Sequence, residues 1–97
     1  MRTLDEVVAK LRRLQPDLRR RYPIRELGIF GSYARAQQTE KSDLDVLVDL
    51  GEGMGLIELA GLQHDLSDAL GVKVDLVIKD ALKHNIARRV LSEAVML

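Results

Sequence analysis

The chain of 97 residues contains no cysteine, which excludes a disulfide framework and a thiolate metal site. No apolar run is long enough to span a bilayer, and the N-terminus lacks the pattern of a signal peptide. The 15 basic and 15 acidic residues cancel, which argues against broad electrostatic adhesion to nucleic acid or to a membrane. We therefore expect a cytoplasmic protein that binds neither a membrane nor, stably, a nucleic acid.

Strand-like and helical segments alternate along the chain, and this pattern predicts an α/β fold in which helices pack on a small mixed β-sheet. The length suits one domain over residues 1–97. Helices are predicted over about 4–21, over about 56–70 and after Asp80. Strands are predicted over 25–30, 42–50 and 72–78. The apolar end at 94–97 could add a short strand or contact a partner. The buried stripe of the second helix is predicted to comprise Leu56, Leu59, Ala60, Leu66 and Leu70.

Two aspartates alternate with apolar residues in the segment Ser42 to Leu50. Alternate side chains of a strand point to opposite faces, so Asp43 and Asp45 share one face and lie roughly 7 Å apart. Asp75 stands in the same way inside Val72 to Ile78, and it joins the pair if the two strands are neighbours. Such a group of carboxylates suits a divalent cation, and without one at least one pKa should be raised.

A glycine–serine turn precedes these acids. Phe30-Gly31 ends a strand, and Ser32 is predicted to cap a short helix that runs through Arg35 or Ala36. The free N–H groups and positive dipole at a helix N-terminus bind phosphate, and Gly31 lets the backbone approach closely.

Each of these features alone is weak. A single strand aspartate such as Asp49 is usually solvated, a glycine–serine pair usually means only a turn, and His64 is more readily an exposed helical histidine than a metal ligand. The combination of Gly31-Ser32, a ten-residue gap, Asp43 and Asp45, and a later strand aspartate is what indicates a metal–nucleotide site.

At these residues the chain resembles the minimal nucleotidyltransferases of the DNA polymerase beta superfamily, many of which are antitoxins of HEPN/MNT toxin–antitoxin systems. The flanks Gly-Ser-x-Ala-Arg and Ser-Asp-x-Asp-Val-Leu-Val agree with that family. One departure is Ala36, where the family often has glycine.

The resemblance implies the small nucleotidyltransferase fold and a magnesium-dependent enzyme, with two ions expected and ATP as substrate. Asp43, Asp45 and Asp75 would be the metal ligands and catalytic residues, with Asp75 helping to deprotonate the attacking hydroxyl. Gly31, Ser32 and Arg35 would bind the nucleotide. The reaction expected is transfer of AMP to a tyrosine hydroxyl of a HEPN ribonuclease toxin, as in a type VII antitoxin, within a homo- or hetero-oligomer.

Two other functions stay open at this point. The protein could neutralise the toxin by direct binding without catalysis, which Ala36 and the apolar C-terminus allow. It could instead transfer a nucleotide to a small molecule or an RNA end, which would need an additional pocket or subunit.

Overall fold

In a computed structural model, which describes residues 3–97, the chain forms a mixed sheet with helices packed against it. The elements, in order, are α1 (Leu4–Arg21), β1 (Ile24–Phe30), β2 (Leu44–Leu50), α2 (Leu56–Leu70), β3 (Val74–Ile78), a 3₁₀ turn (Lys79–Ala81), α3 (His84–Glu93) and β4 (Val95–Met96). The predicted α/β class with a small mixed sheet is confirmed. Within residues 3–97 no helix is both long enough and apolar enough to cross a bilayer.

The strand order is β3-β2-β1-β4. β1 pairs antiparallel with β2 and β4, whereas β2 pairs parallel with β3. Parallel neighbours need a crossover connection, and α2 supplies it. The strands that carry the aspartates are therefore neighbours, which is the condition under which Asp75 was expected to join the other two.

Local signals explain where the helices begin and end. The Thr3 side chain accepts a hydrogen bond from the Glu6 N–H, 3.2 Å long, and so caps α1. α1 continues through Pro16 to Arg21. Gly71 ends α2 in the left-handed conformation at φ 68°, which glycine adopts without steric cost.

The core lies between the sheet and the helices α1 and α2. Its fully buried side chains are Val7, Leu11, Leu27, Ile29, Leu44, Val46, Val48, Leu62, Leu66, Leu70 and Val74. In β2 the even positions face this core, as the alternation predicts. Leu47 is also buried, although it lies on the opposite face, so that face is only partly open to solvent.

Several predicted details differ from the structure. β2 begins at Leu44, so Asp43 precedes the strand. Leu56 is 85% exposed and Ala60 is exposed, because the buried stripe of α2 runs through Leu62 instead. Asp80 lies in the 3₁₀ turn, and Lys83 occupies the N-cap position of α3. The C-terminal segment does add a short strand, which pairs with β1 at Gly28 and Ile29.

Candidate active site

The sheet register places Asp45 between the end of β1 and the start of β3. Asp45 is the partner of Phe30 on one side and of Asp75 on the other. Register partners on adjacent strands lie about 5 Å apart and project from the same face. The structure thus brings Asp45 and Asp75 together beside Gly31, which follows Phe30.

The surroundings of Asp45 are electrostatically unfavourable for its ionised form. Burial raises the pKa of Asp45, and the neighbouring carboxylates of Asp75 and Asp43 raise that pKa further. The Arg35 guanidinium acts in the opposite direction, while Glu93 adds to the increase. The predicted pKa increase in a group of close carboxylates is therefore present at one member, Asp45.

Asp43 lies at the rim of this group. The Lys73 Nζ atom is 3.9 Å from Asp43 Oδ2, and the two side chains are 81% and 46% exposed. An ion pair this exposed contributes little to stability, so Lys73 does not hold Asp43 firmly.

The acidic side chains fit a hard divalent cation by their chemistry, because carboxylate oxygens are its preferred ligands and a cation would relieve the repulsion at Asp45. Within residues 3–97, however, no three acidic or histidine side chains converge closely enough to form a ready metal site. Joint metal ligation by Asp43, Asp45 and Asp75 therefore stays a prediction.

The segment from Gly31 to Ala36 is a series of turns and not the short helix that the sequence predicts. The Arg35 N–H donates to the Gly31 carbonyl over 3.1 Å, and the Gln37 N–H donates to the Ser32 carbonyl over 2.8 Å. In the part of the chain described, no backbone acceptor pairs with the N–H groups of Ser32, Tyr33 and Ala34. These groups lie where the first turn of a helix would offer its free donors.

A glycine is required at position 31 by the backbone conformation there and by the neighbouring Asp45 side chain. Its φ is 72°, and a Cβ atom there would collide with the Asp45 carboxylate. The absence of a side chain is what allows Asp45 to lie against this phosphate turn, by which we mean residues 31–36.

Ala36 closes the phosphate turn at φ 56°, the single positive φ of a non-glycine residue in the described range 3–97. An L-residue pays about 1–2 kcal/mol for this conformation. The departure from glycine at this position is therefore a strained one.

Glu93 is the site neighbour that the sequence analysis missed. Its Oε1 atom accepts from the Gly31 N–H at 3.3 Å and from Arg35 Nη1 at 3.1 Å. Arg35 Nε also donates to Gln37 Oε1 at 3.1 Å. Glu93 is 62 residues from Gly31 in the chain, and one weak signal pointed to it: an acid at the end of a helix is unfavourable there.

Two residues that the sequence interpretation left outside the site, His64 and Asp49, also lie outside it in the structure. His64 is exposed on α2, and Asp49 lies at the other end of β2 from Asp45.

Known proteins are similar to this chain over almost its whole length. The family model described as nucleotidyltransferase domain matches residues 11–97. The chain belongs to the nucleotidyltransferase family. It is therefore a nucleotidyltransferase.

Three relatives illustrate the similarity. The protein adenylyltransferase MntA of Thermococcus cleftensis is 44% identical over 95 residues, covering 98% of this chain and 96% of the relative. A solved candidate minimal nucleotidyltransferase superposes with a TM-score of 0.86 at 34% identity, covering 99% of this nucleotidyltransferase and 97% of that chain.

The third relative shares the fold at 22% identity and a TM-score of 0.69. It belongs to the structure of a tri-AMPylated Shewanella oneidensis HEPN toxin in complex with an MNT antitoxin, and the match covers 93% of this nucleotidyltransferase and 70% of that chain.

Proposed function

We propose that this nucleotidyltransferase is a protein adenylyltransferase and an antitoxin, which transfers AMP from ATP to a tyrosine hydroxyl of a HEPN ribonuclease toxin. The single observation that carries the proposal is the position of Asp45, paired in register with Asp75 and in contact with the phosphate turn at Gly31. The 44% identity to a protein adenylyltransferase supports the nature of the transferred group.

Asp43, Asp45 and Asp75 would hold magnesium in this proposal. Bound there, the cation would neutralise the phosphates and stabilise the charge that develops during displacement at phosphorus. The raised pKa of Asp45 supports this assignment, because a cation would favour the ionised carboxylate.

The residues of the chain itself would bind and orient the substrates. The N–H groups of Ser32, Tyr33 and Ala34 would donate to phosphate oxygens, and the Arg35 guanidinium would add a positive charge beside them. Asp75 would accept the proton of the attacking hydroxyl. The β–γ pyrophosphate would leave as the hydroxyl oxygen bonds to the α-phosphorus.

The acceptor would come from a second protein. We propose a single domain over residues 1–97, whose described part consists of one small sheet and its helices. The complex of an MNT antitoxin with an AMPylated HEPN toxin supports a hetero-oligomeric arrangement of this kind.

The test is to incubate the protein with α-labelled ATP, magnesium and its candidate HEPN toxin. We expect label on the toxin, a mass gain of one or more adenylates, and loss of its ribonuclease activity. Replacing Asp43 and Asp45 by asparagine should abolish labelling, whereas Asp49→Asn, at the other end of the same strand, should not. A toxin that is silenced without label would refute the catalytic proposal.

A second candidate function is neutralisation by contact alone. Two exposed apolar side chains favour it: Leu56 and Ile57 at the start of α2 are each 85% exposed. The same asparagine substitutions separate the two functions, because neutralisation would survive them under contact and fail under catalysis.

A further inference from the structure

Glu93 joins the C-terminal end of α3 to the phosphate turn. A single carboxylate oxygen, Oε1, accepts from the Gly31 N–H and from Arg35 Nη1. The Glu93 side chain is 30% exposed and that of Arg35 is 46% exposed. Strand β4, which follows α3, pairs with β1 at Gly28 and Ile29, so the backbone on both sides of this contact is held by the sheet.

The charge of Glu93 has two unfavourable interactions besides its contacts with Gly31 and Arg35. A carboxylate at a helix C-terminus opposes the helix dipole, and the charge of Glu93 also raises the pKa of Asp45. A glutamine could also accept the Gly31 N–H, although more weakly than a carboxylate does. Within residues 3–97 the guanidinium of Arg35 is the cation that pairs with the Glu93 charge.

Arg35 still has donors to offer when Glu93 holds it. Arginine carries five N–H groups in a planar fork. Nε donates to Gln37 and one Nη1 hydrogen donates to Glu93, so acceptors on two different sides hold the guanidinium. Nη2 lies between these two groups in the planar fork. No residue in the range 3–97 accepts from it, so its hydrogens remain available to an anion.

We propose that Glu93 is a positioning residue for nucleotide binding, which anchors the first residue of the phosphate turn and orients Arg35 toward the phosphates. This inference rests on the proposed function. It assigns no contact between Glu93 and the nucleotide: Glu93 acts through Gly31 and Arg35.

The test is a double-mutant cycle on nucleotide affinity, measured by calorimetry with magnesium and the non-hydrolysable analogue AMP-PNP. Glu93→Gln should weaken binding about fivefold, as expected for a half-exposed ion pair. In an Arg35→Ala background the same substitution should leave the affinity unchanged or improve it, since only repulsion is then removed. Glu93→Asp, which keeps the charge on a shorter side chain, should recover part of the affinity.

Glu58→Gln is the matched control. Glu58 also accepts a backbone N–H, from Gly55 at 3.0 Å, but it lies at the start of α2, beyond the opposite end of β2. Both glutamine variants should lose some thermal stability, and only Glu93→Gln should lose affinity. Tighter binding by Glu93→Gln would overturn the inference and make Glu93 a competitor of the phosphates. An equal effect in both Arg35 backgrounds would overturn it as well.

A measurement without nucleotide separates this inference from the proposed function. The Nε–Hε resonance of Arg35 should be resolved and slow to exchange with solvent in the wild type, and should become averaged in Glu93→Gln. If that change is absent, Glu93 does not orient Arg35 and the inference fails. If the change is present but the wild type binds no AMP-PNP, the proposed function fails and with it the nucleotide role of Glu93.

Discussion

At the scale of single residues, Gly31 makes the position of Asp45 possible. Its φ of 72° and the collision of any Cβ with the Asp45 carboxylate both require glycine. The glycine–serine pair was visible in the sequence. The reason for it was not, since the contact joins residues fourteen positions apart in the chain and depends on how β1 and β2 pair.

Gly31→Ala is expected to separate folding from activity. Gly53→Ala is the matched control, because Gly53 also has a positive φ, 96°, but no atom within 4 Å of its Cβ position. Each variant should lose about 1 kcal/mol of unfolding free energy from the backbone conformation. In Gly31→Ala the Asp45 carboxylate should rotate away from the new methyl group and so leave the position that the reaction needs. This variant, unlike Gly53→Ala, should therefore lose about 100-fold in transfer rate. Chemical denaturation would measure the unfolding free energy and labelled-ATP assays the transfer rate. Equal activity of the two variants would contradict the close contact between Gly31 and Asp45.

Asp45→Asn is expected to stabilise the metal-free protein. The pKa of Asp45 is raised by burial and by Asp75 and Asp43, so the folded state binds this proton more tightly than the unfolded state does. Stability is therefore lost as the pH rises from the ordinary range of an aspartic acid through the raised pKa. In chelator at pH 7 the variant should melt at a higher temperature than the wild type. The difference in melting temperature should shrink at pH values below the ordinary pKa of an aspartic acid, where Asp45 is protonated in both states.

The control for this melt is Asp49→Asn on the same strand, for which we expect a change within about 0.5 kcal/mol. A lower midpoint for Asp45→Asn would show that the carboxylate is stabilised by its surroundings and would contradict the repulsion.

At the scale of elements, helices and strands followed from the sequence more readily than the phosphate turn did. The period of apolar residues predicts α1 and α2, and Thr3 and Gly71 mark their ends as the structure has them. The turn after Gly31 was predicted as a helix, but Ala36 enters the left-handed region and the last hydrogen bond of the turn runs from the Gln37 N–H to the Ser32 carbonyl. No periodic signal in six residues could distinguish the two.

A polar cluster joins the C-terminal end of α1 to α2, in addition to the apolar side chains that both helices bury in the core. Asp65 Oδ2 accepts from the Tyr22 hydroxyl at 2.8 Å and from Arg21 Nη1 at 2.9 Å. The hydrogen bond to Asp65 is the largest cause of the raised pKa of Tyr22. Because this cluster joins residues 43 positions apart, the sequence pattern alone did not indicate it.

Tyr22→Phe removes one of the two donors to Asp65 and should cost about 1 kcal/mol of unfolding free energy, which lowers the melting temperature of a domain this size by roughly 4–8 °C. Asp17→Asn is the control: it removes exposed ion pairs of Arg20 and Arg21 and should change stability by less than about 0.5 kcal/mol. If the two variants melt alike, the hydrogen bond from Tyr22 to Asp65 does not stabilise the contact between the helices.

At the scale of the whole molecule, the site is assembled by sheet topology from three separate parts of the chain. The parallel pairing of β2 with β3 brings Asp75 to Asp45, and the antiparallel pairing of β1 brings the phosphate turn. Alternation along each strand predicts which face each aspartate occupies, and it predicts that Asp45 and Asp75 meet if the strands are neighbours. The structure supplies that neighbour relation. The acid at the end of α3 was the only sequence signal for Glu93, and it did not indicate which residues Glu93 contacts, since no short-range pattern specifies where that helix lies.

A folded state that gathers like charges should be stabilised by a ligand that neutralises them. We expect magnesium and ATP together, at about 100 times the dissociation constant, to add about 2.7 kcal/mol of stability and so to raise the melting temperature by roughly 10–20 °C. ATP in chelator should raise it far less, because the triphosphate then meets ionised Asp45 and Asp75 without a cation between them. Asp75→Asn should abolish most of the joint shift. It should also raise the ligand-free melting temperature slightly, because the repulsion between Asp75 and Asp45 is then relieved. An equal shift by ATP with and without magnesium would show that the acidic face does not take part in binding.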